Sequence, residues 1–237
     1  RLQAGSGLGI IGPSGSGKSS LVRSLVGAWL PIRGTIRLDG AALEQWSSEE
    51  LGRHIGYLPQ DVELFAGTVA QNISRFVSES DPMAIIAAAK AAGVHELVLR
   101  LPEGYETQIG EGGAALSAGQ RQRIGLARAL YGDPFLVVLD EPNSNLDMEG
   151  DEALAQAVLS VRKRGGILVI VAHRATALAA VDFVLLMGDG RPQAFGPRDE
   201  IMAKLFRRVQ AVPAATPGSG PVPVRPVAPV AKDSVAS

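Results

Sequence analysis

A glycine-rich segment near the start of the chain has the residue types needed to bind a phosphate chain. It matches the pattern G-x-x-x-x-G-K-S/T, and it stands between an apolar run at 8–11 and a helix-compatible run at 19–29. Its residues are Gly12, Pro13, Ser14, Gly15, Ser16, Gly17, Lys18 and Ser19. Glycines let backbone N–H groups approach phosphate oxygens, and a helix N-terminus adds positive partial charge. We expect Lys18 to reach the β- and γ-phosphates, Ser19 to complete a Mg²⁺ site and Ser20 to lie near the α-phosphate. A glycine-rich turn that only caps a helix is the alternative.

Two adjacent carboxylates, Asp140 and Glu141, follow an apolar strand at 136–139. Ligands of α/β sheets bind at the carboxyl ends of parallel strands, so these side chains are expected beside the phosphate-binding loop. There Asp140 could hold Mg²⁺, and Glu141 could orient or deprotonate a water molecule in line with the γ-phosphate. The alternative interpretation is a surface turn before Pro142. The presence of the glycine-rich loop in the same chain favours the catalytic interpretation.

The composition excludes several kinds of protein. With 237 residues, the chain is long enough for one large domain with a substantial core. Its net charge of −1 creates no field that would attract nucleic acid, so we expect no nucleic-acid partner. There is no cysteine, which excludes disulfides and thiolate metal sites. The apolar runs are far shorter than the roughly 18 residues that a membrane span needs.

The alternation of short apolar runs with helical stretches predicts an α/β fold with a mainly parallel central sheet. The predicted strands are residues 8–12, 35–38, 55–58, 136–139, 167–172 and 184–187. Two of these runs, 136–139 and 167–172, are apolar throughout, which is typical of central strands covered on both faces. We therefore place them in the middle of the sheet.

The strand signal disappears between residues 68 and 130, where 82–92 and 117–130 read as helices. This predicts a helical subdomain inserted into the α/β core. Residues 212–237 carry six prolines among Ala, Val, Gly and Ser, and we expect this tail to be disordered. The predicted organisation is thus one domain at 1–211 followed by a solvated tail, with a docking peptide as the alternative role for the tail.

The segment Leu116-Ser117-Ala118-Gly119-Gln120 resembles the signature of the ABC ATPase family, usually written L-S-G-G-Q, with Ala118 in place of the first glycine. A capped helix alone could explain such a segment. However, the order of the motifs also resembles that family, from residue 8 to about 208: phosphate-binding loop, Gln60, signature, the two carboxylates, Ser144-Asn145-Leu146-Asp147 and His173. The fold implied is that of a P-loop NTPase.

The resemblance implies that two copies pair head to tail and enclose two ATP molecules. Ser117, Gly119 and Gln120 of one copy would complete the nucleotide site of the other copy. The resemblance also assigns roles within the site: Gln60 would contact Mg²⁺ and the attacking water, His173 would hold the γ-phosphate, and Asp147 would couple the two sites. These three roles come from the family and not from spacing.

Two segments resemble exporters within this family. Residues 107–113 are similar to the T-x-x-G-E-x-G loop, whose acid, here Glu111, contacts the membrane domain, although a flexible turn is the alternative. Residues 56–69 are similar to the ATPases of type I protein secretion. The resemblance therefore implies a membrane domain on the same full-length chain, a location at the cytoplasmic face of the inner membrane, and a periplasmic adaptor and outer-membrane channel as further partners.

One departure from the family concerns adenine binding. No aromatic residue lies between Arg1 and Ser19, whereas the family has one upstream of the loop. We expect the first strand and this aromatic residue to precede Arg1, so that the fragment binds ATP more weakly by roughly 1–3 kcal/mol. The alternative functions are a soluble ABC ATPase that acts on DNA or ribosomes, and a regulatory module that binds ATP without hydrolysis. The exporter-type loop disfavours the first, and the presence of Glu141 and His173 disfavours the second.

Overall fold

The structure, a computed structural model, describes residues 1–172 and 178–210. The strands are β1 (Gly7–Ile11), β2 (Arg37–Leu38), β3 (Ala41–Ala42), β4 (Ile55–Leu58), β5 (Leu136–Asp140), β6 (Ile167–Val171), β7 (Phe183–Gly188) and β8 (Arg191–Pro197). The helices are α1 (Lys18–Leu25), α2 (Ser48–His54), α3 (Val69–Ile73), α4 (Pro82–Ala91), α5 (His95–Leu99), α6 (Ala118–Leu130), α7 (Met148–Lys163) and α8 (Arg198–Gln210). Short 3₁₀ segments lie at Leu43–Gln45, Gly104–Glu106 and Glu111–Gly113.

Six strands form one sheet in the order β4-β5-β6-β1-β7-β8. All pairs are parallel except β7 with β8, so the predicted mainly parallel sheet is confirmed. Every residue of β5 and β6 is buried, as their uninterrupted apolar sequences predict. Because the strands β4, β5, β6 and β1 are neighbours and parallel, their carboxyl ends lie along one edge of the sheet.

Side chains on the two faces of the sheet belong to two separate cores. In β5, Leu136 and Val138 pack with Val22 of α1, whereas Val137 and Leu139 pack with residues of α3, α4, α6 and α7. This division follows from the period of two along a strand. The sheet is therefore covered by helices on both faces.

Several helices begin at residues that can cap them. Ser47, Thr68 and Ser117 each accept a hydrogen bond from the backbone N–H three residues later, with a Glu or Gln side chain reaching back to the capping residue. Asp81 caps α4, where Pro82 occupies the first turn. These caps fix where α2, α3, α4 and α6 start.

The segment at 35–38 does not join the main sheet, so that prediction was wrong in part. Only Arg37–Leu38 form a strand, and this strand pairs with Ala41–Ala42 as a two-stranded hairpin. Asp39 and Gly40 both have positive φ (49° and 86°), which is the conformation of a two-residue turn that reverses the chain. The helix expected at 19–29 also ends early, at Leu25, before Gly27.

Helices α3 to α6 lie between β4 and β5 in the chain, where the sequence predicts helices. Within the described part of this region, the one β-bridge joins Thr68 to Gln108. The bounds of the inserted subdomain and of the domain at 1–211 remain predictions, and the tail at 212–237 lies outside the described residues. Among the residues that are described, no helix combines the length and the apolar character required to traverse a lipid bilayer.

Candidate functional site

The glycine-rich loop follows β1 and ends where α1 begins, as the motif predicts. Gly17 has φ of 89° and is the residue before α1, and no side chain caps this helix start. At Gly12, with φ of 151°, a Cβ atom would lie 2.2 Å from the Met187 carbonyl oxygen, so no side chain fits there. The helix N-terminus is therefore left available to an anion.

Lys18 lies over this loop and is buried. Its ammonium donates hydrogen bonds to the carbonyl oxygens of Gly12 (3.0 Å) and Pro13 (2.9 Å). Ser16 is buried beside it, and Ser14, Gly15 and Ser20 are exposed at the surface of the loop and first turn. The loop thus combines exposed backbone with a lysine held at its centre, which is an arrangement that binds phosphate groups.

Asp140, the last residue of β5, is 1% exposed. Burial raises the pKa of its carboxyl group and Glu141 adds to this rise, whereas the Ser19 side chain, Arg23 and Lys18 act to lower the pKa. Its Oδ1 atom has no hydrogen-bond partner among the described residues. Carboxylate and hydroxyl oxygens are ligands that Mg²⁺ prefers, so the pairing of Asp140 with Ser19 fits a magnesium site.

Glu141 leaves the strand in a left-handed conformation, with φ of 52°. Such a conformation costs about 1–3 kcal/mol in a residue with a side chain, and it is common at functional sites. The Glu141 N–H donates to the Val171 carbonyl oxygen at 3.1 Å, which fixes the turn against β6.

Gln60, which follows β4, donates from Nε2 to Glu141 Oε2 at 3.3 Å. Four sequence-predicted residues, Lys18, Ser19, Gln60 and Glu141, are thereby brought around Asp140 at one edge of the sheet.

His173 lies outside the described residues. The paired residues Asp140 and Val171 show only that β6 ends beside Asp140, two residues before His173.

The signature residues form a second cluster at the start of α6. Ser117 caps this helix, and its N–H donates to Gln120 Oε1 at 2.8 Å, so Gln120 is held within its own turn. Ala118 is the first residue of α6, where a helix former is suited better than glycine. Gly119 lies close to the next loop, because a Cβ atom there would be 3.0 Å from the Asn145 carbonyl oxygen. Within the described part of the chain, no hydrogen bond joins this cluster to the phosphate-binding loop.

Asp147 belongs to the signature cluster in this chain. Its carboxylate caps α7 by accepting from the Gly150 N–H at 2.9 Å, and it accepts two hydrogen bonds from Arg123 Nη2, at 3.0 and 2.9 Å. Gln122, which is buried, donates to the Pro142 carbonyl oxygen at 3.0 Å. The helix that starts at the signature is therefore tied to the loop that follows Glu141.

Sequence reasoning missed Gln122, Arg123, Arg23 and Tyr57. Arg23 and Tyr57 lie near Asp140: burial raises the pKa of Tyr57, the Asp140 carboxylate adds to this rise, and Arg23 acts against it. Polar side chains at positions with apolar periodicity, such as Gln122 and Arg123 in α6, were the available signal.

An apolar cavity of about 950 Å³ lies elsewhere, between α1, the β2–β3 hairpin and one face of the sheet. Its walls include Leu21, Leu43, Phe135 and Phe195 but neither the phosphate-binding loop nor Asp140. The candidate site is thus a surface at the strand ends and not this cavity.

Comparisons with known proteins agree with this geometry. A profile of the ABC transporter family matches residues 1–144. The chain is 64% identical over 209 residues to the "Type I secretion system ATP-binding protein PrsD" of Rhizobium meliloti (strain 1021), covering 88% of this chain and 36% of that protein. It is 36% identical over 220 residues to the "Cyclolysin secretion/processing ATP-binding protein CyaB" of Bordetella pertussis (strain Tohama I), covering 92% of this chain and 31% of that one.

A solved structure is similar as well, described as "Structure of a bacterial Atm1-family ABC exporter with ATP bound". The TM-score is 0.78 at 31% identity, over 87% of this chain and 37% of the other. The chain therefore spans about a third of the length of the relatives that it matches.

Proposed function

Because the chain belongs to the ABC transporter family, we propose that it binds ATP and hydrolyses it to ADP and phosphate as the ATPase part of a type I protein secretion exporter. The observation that carries this proposal is the buried Asp140 carboxylate beside Ser19 and Lys18, with Glu141 and Gln60 at its rim. These groups supply what phosphoryl transfer needs, namely an anion cradle, a cation site and a base.

Each group has a separate part in the reaction. The loop amides from Ser14 to Ser19 bind the β- and γ-phosphates, and Lys18 exchanges its loop carbonyls for phosphate oxygens. Ser19, Gln60 and Asp140 would hold Mg²⁺, which neutralises charge on the phosphates when bound. Glu141 accepts a proton from the attacking water, and the Gln60 amide restrains the Glu141 carboxylate. His173 would hold the γ-phosphate.

The signature cluster acts on a second copy of the chain. Ser117, Gly119 and Gln120 present a capped helix N-terminus, which favours an anion such as the γ-phosphate. In a head-to-tail dimer this end of α6 closes over the nucleotide held by the partner's phosphate-binding loop. Asp147 couples the two sites, because it is bonded to Arg123 of α6 and lies six residues after Glu141.

The export function rests on the likeness to PrsD and CyaB, whose names refer to secretion. We propose a membrane domain on the same full-length chain, a location at the cytoplasmic face of the inner membrane, and an adaptor and outer-membrane channel as partners. A surface suited to the membrane domain is the pair of rings of Phe65 and Phe76, 62% and 43% exposed, which we call the Phe65–Phe76 pair. Glu111 belongs to a second segment that we assign to this contact.

The substitution Glu141→Gln in the full-length protein tests the proposal. Loss of the base should lower the rate of Mg²⁺-dependent ATP hydrolysis by about 100-fold or more, while ATP still binds and holds two copies together. ATPase rates and size-exclusion chromatography with ATP measure the two effects. Glu44→Gln, at an exposed carboxylate on the 3₁₀ segment Leu43–Gln45, is the control and should retain the wild-type rate. Unchanged hydrolysis in Glu141→Gln would refute the role of Glu141.

A further inference from the structure

Arg75, which follows α3, has no part in the proposed chemistry and yet makes five hydrogen bonds. Its Nε donates to the Arg128 carbonyl oxygen at 2.9 Å, and Nη2 donates to those of Ala129 (3.2 Å) and Tyr131 (3.3 Å). Its Nη1 donates to the carbonyl oxygens of Gly52 and Ile55. A guanidinium has five N–H groups, so all of its donors are used and every acceptor is backbone.

The five carbonyl groups belong to the ends of two helices. Three lie at the carboxyl end of α6, and two lie at the carboxyl end of α2, where β4 begins. Carbonyl groups at a helix end lack partners within the helix, and they carry negative partial charge that attracts a cation. Arg75 therefore joins α6 through one side chain to the start of β4, which is an edge strand of the main sheet.

The environment of Arg75 is unusual for a cation. Among the described residues, no carboxylate lies within ion-pair distance of it. Burial lowers the pKa of its guanidinium, and the nearby Arg128 lowers it further. Arg75 and Phe76 also both have positive φ, 60° and 58°, in residues that rarely adopt this conformation. Two strained residues and a half-buried cation persist only where their surroundings require them.

Phe76 and Arg128, which lie beside Arg75, connect it to the Phe65–Phe76 pair. Phe76 follows it directly, and its ring packs edge to face on Phe65 with centroids 6.0 Å apart. The Arg128 guanidinium, from the last turn of α6, lies 5.8 Å from the Phe65 ring. The other end of α6 carries Ser117 and Gly119. One helix thus has the Phe65–Phe76 pair at its carboxyl end and the signature cluster at its amino end.

We propose that Arg75 is a positioning residue for the signature cluster. It fixes the carboxyl end of α6 to the start of β4 and to the Phe65–Phe76 pair. Movement of the Phe65–Phe76 pair therefore displaces Ser117 at the other end of α6. The inference rests on the proposed function for what Ser117 does, but the placement of α6 can be tested without ATP. Because α6 is one continuous helix of 13 residues, release of its carboxyl end should loosen its first turns as well.

The test uses Arg75→Lys in the full-length protein. Lysine keeps the charge but cannot bridge five acceptors in a planar fork. Arg164→Lys is the matched control. Arg164 follows α7 and also donates to backbone carbonyl oxygens, those of Asp133 (2.7 Å) and Pro134 (2.6 Å), but these lie in the loop between α6 and β5 and not in a helix. Amide hydrogen exchange without nucleotide is compared in peptides that cover 126–131 and 120–124.

In Arg75→Lys, exchange should rise by about tenfold in both segments, and in Arg164→Lys it should stay within about twofold of the wild type. A rise confined to 126–131, or an equal rise in the control, overturns the proposal. If Arg75→Lys does not fold, Phe76→Ala keeps the guanidinium, and a rise of about threefold in both segments is expected. No change at 120–124 in that variant also overturns the proposal.

Kinetics separate the proposal from the proposed function. For Arg75→Lys, kcat for ATP should fall by about tenfold with KM within about threefold, because the phosphate-binding loop does not depend on Arg75. An unchanged kcat overturns the positioning role. A wild-type protein without ATPase activity refutes the proposed function instead, and the exchange data then decide the placement of α6 alone.

Discussion

At the scale of single residues, Ala118 and Gly119 are neighbours under different constraints. Ala118 is exposed at the start of α6, whereas a Cβ atom at Gly119 would lie 3.0 Å from the Asn145 carbonyl oxygen. We expect Gly119→Ala to lower kcat for ATP by about tenfold or more, because the added methyl displaces the loop at Asn145 and the face that we propose closes on the partner's nucleotide. Steady-state ATPase assays of the full-length protein measure this effect.

Ala118→Gly is the control for that substitution. It restores the family's usual residue at a helix start, and it should cost at most about 1 kcal/mol in the free energy of unfolding while leaving kcat within about twofold. Urea unfolding and the same ATPase assay compare the two variants. The explanation fails if Ala118→Gly impairs hydrolysis and Gly119→Ala does not.

The residues that we propose as phosphate ligands could be predicted from sequence, and the residue that we propose as positioning the signature cluster could not. The loop around Lys18 and the pair Asp140 and Glu141 have side-chain types and spacings tied to their chemistry. Arg75, in contrast, bonds only to backbone carbonyl groups, and any residue supplies a carbonyl. Its five partners therefore leave no pattern in the sequence, and the position is recognised only once the ends of α2 and α6 are seen together.

At the scale of elements, the contact between β4 and α6 depends on a glycine. A Cβ atom at Gly56, in β4, would lie 1.9 Å from the Ala129 carbonyl oxygen and 2.9 Å from Pro134 Cγ. Gly56→Ala should therefore lower the free energy of unfolding by about 2–3 kcal/mol or more, since the end of α6 must move away from the sheet. The midpoint of urea unfolding measures the change.

Gly52→Ala, four residues earlier, is the matched control. Gly52 lies inside α2 with nothing within 4 Å of the added Cβ atom, so the substitution should stabilise the protein by about 0.5–1 kcal/mol through helix propensity. The Gly52 carbonyl group that accepts from Arg75 is retained. Equal effects of the two substitutions would show that β4 and α6 do not pack as closely as described.

The elements that sequence analysis placed correctly are those with continuous apolar character. β5 and β6 were assigned to the middle of the sheet because both of their faces must be buried. β8 was missed, because it is an exposed edge strand with two prolines and few apolar residues. The β2–β3 hairpin was predicted as a single strand for a related reason. Its turn at Asp39 and Gly40 pairs two strands that are adjacent in the chain, and the sequence around it does not show which sheet these strands join.

At the scale of the whole molecule, the proposed function divides each nucleotide site between two copies of the chain, so that one copy contributes a hydrolytic half to one site and a signature half to the other. The hydrolytic half lies at the ends of β1, β4 and β5, and the signature half lies at the start of α6. In the described residues, the link between them runs through the Gln122 and Arg123 side chains to the loop after Glu141. Such a link runs within one copy and encloses no nucleotide, so the proposed ATP site needs a second copy.

A head-to-tail dimer makes a prediction that no single-copy site makes. Lys18→Ala removes the positive charge at the phosphate-binding loop, and Ser117→Arg blocks the start of α6. A dimer of either variant alone should therefore be inactive in both sites. In a mixed dimer, purified through two different affinity tags on full-length chains, one site carries both defects and the other carries neither. Such dimers should hydrolyse ATP at about half of the wild-type rate, since one of two equivalent sites is complete. If each copy instead used its own Ser117, both copies of the mixed dimer would stay inactive, and mixing would recover nothing.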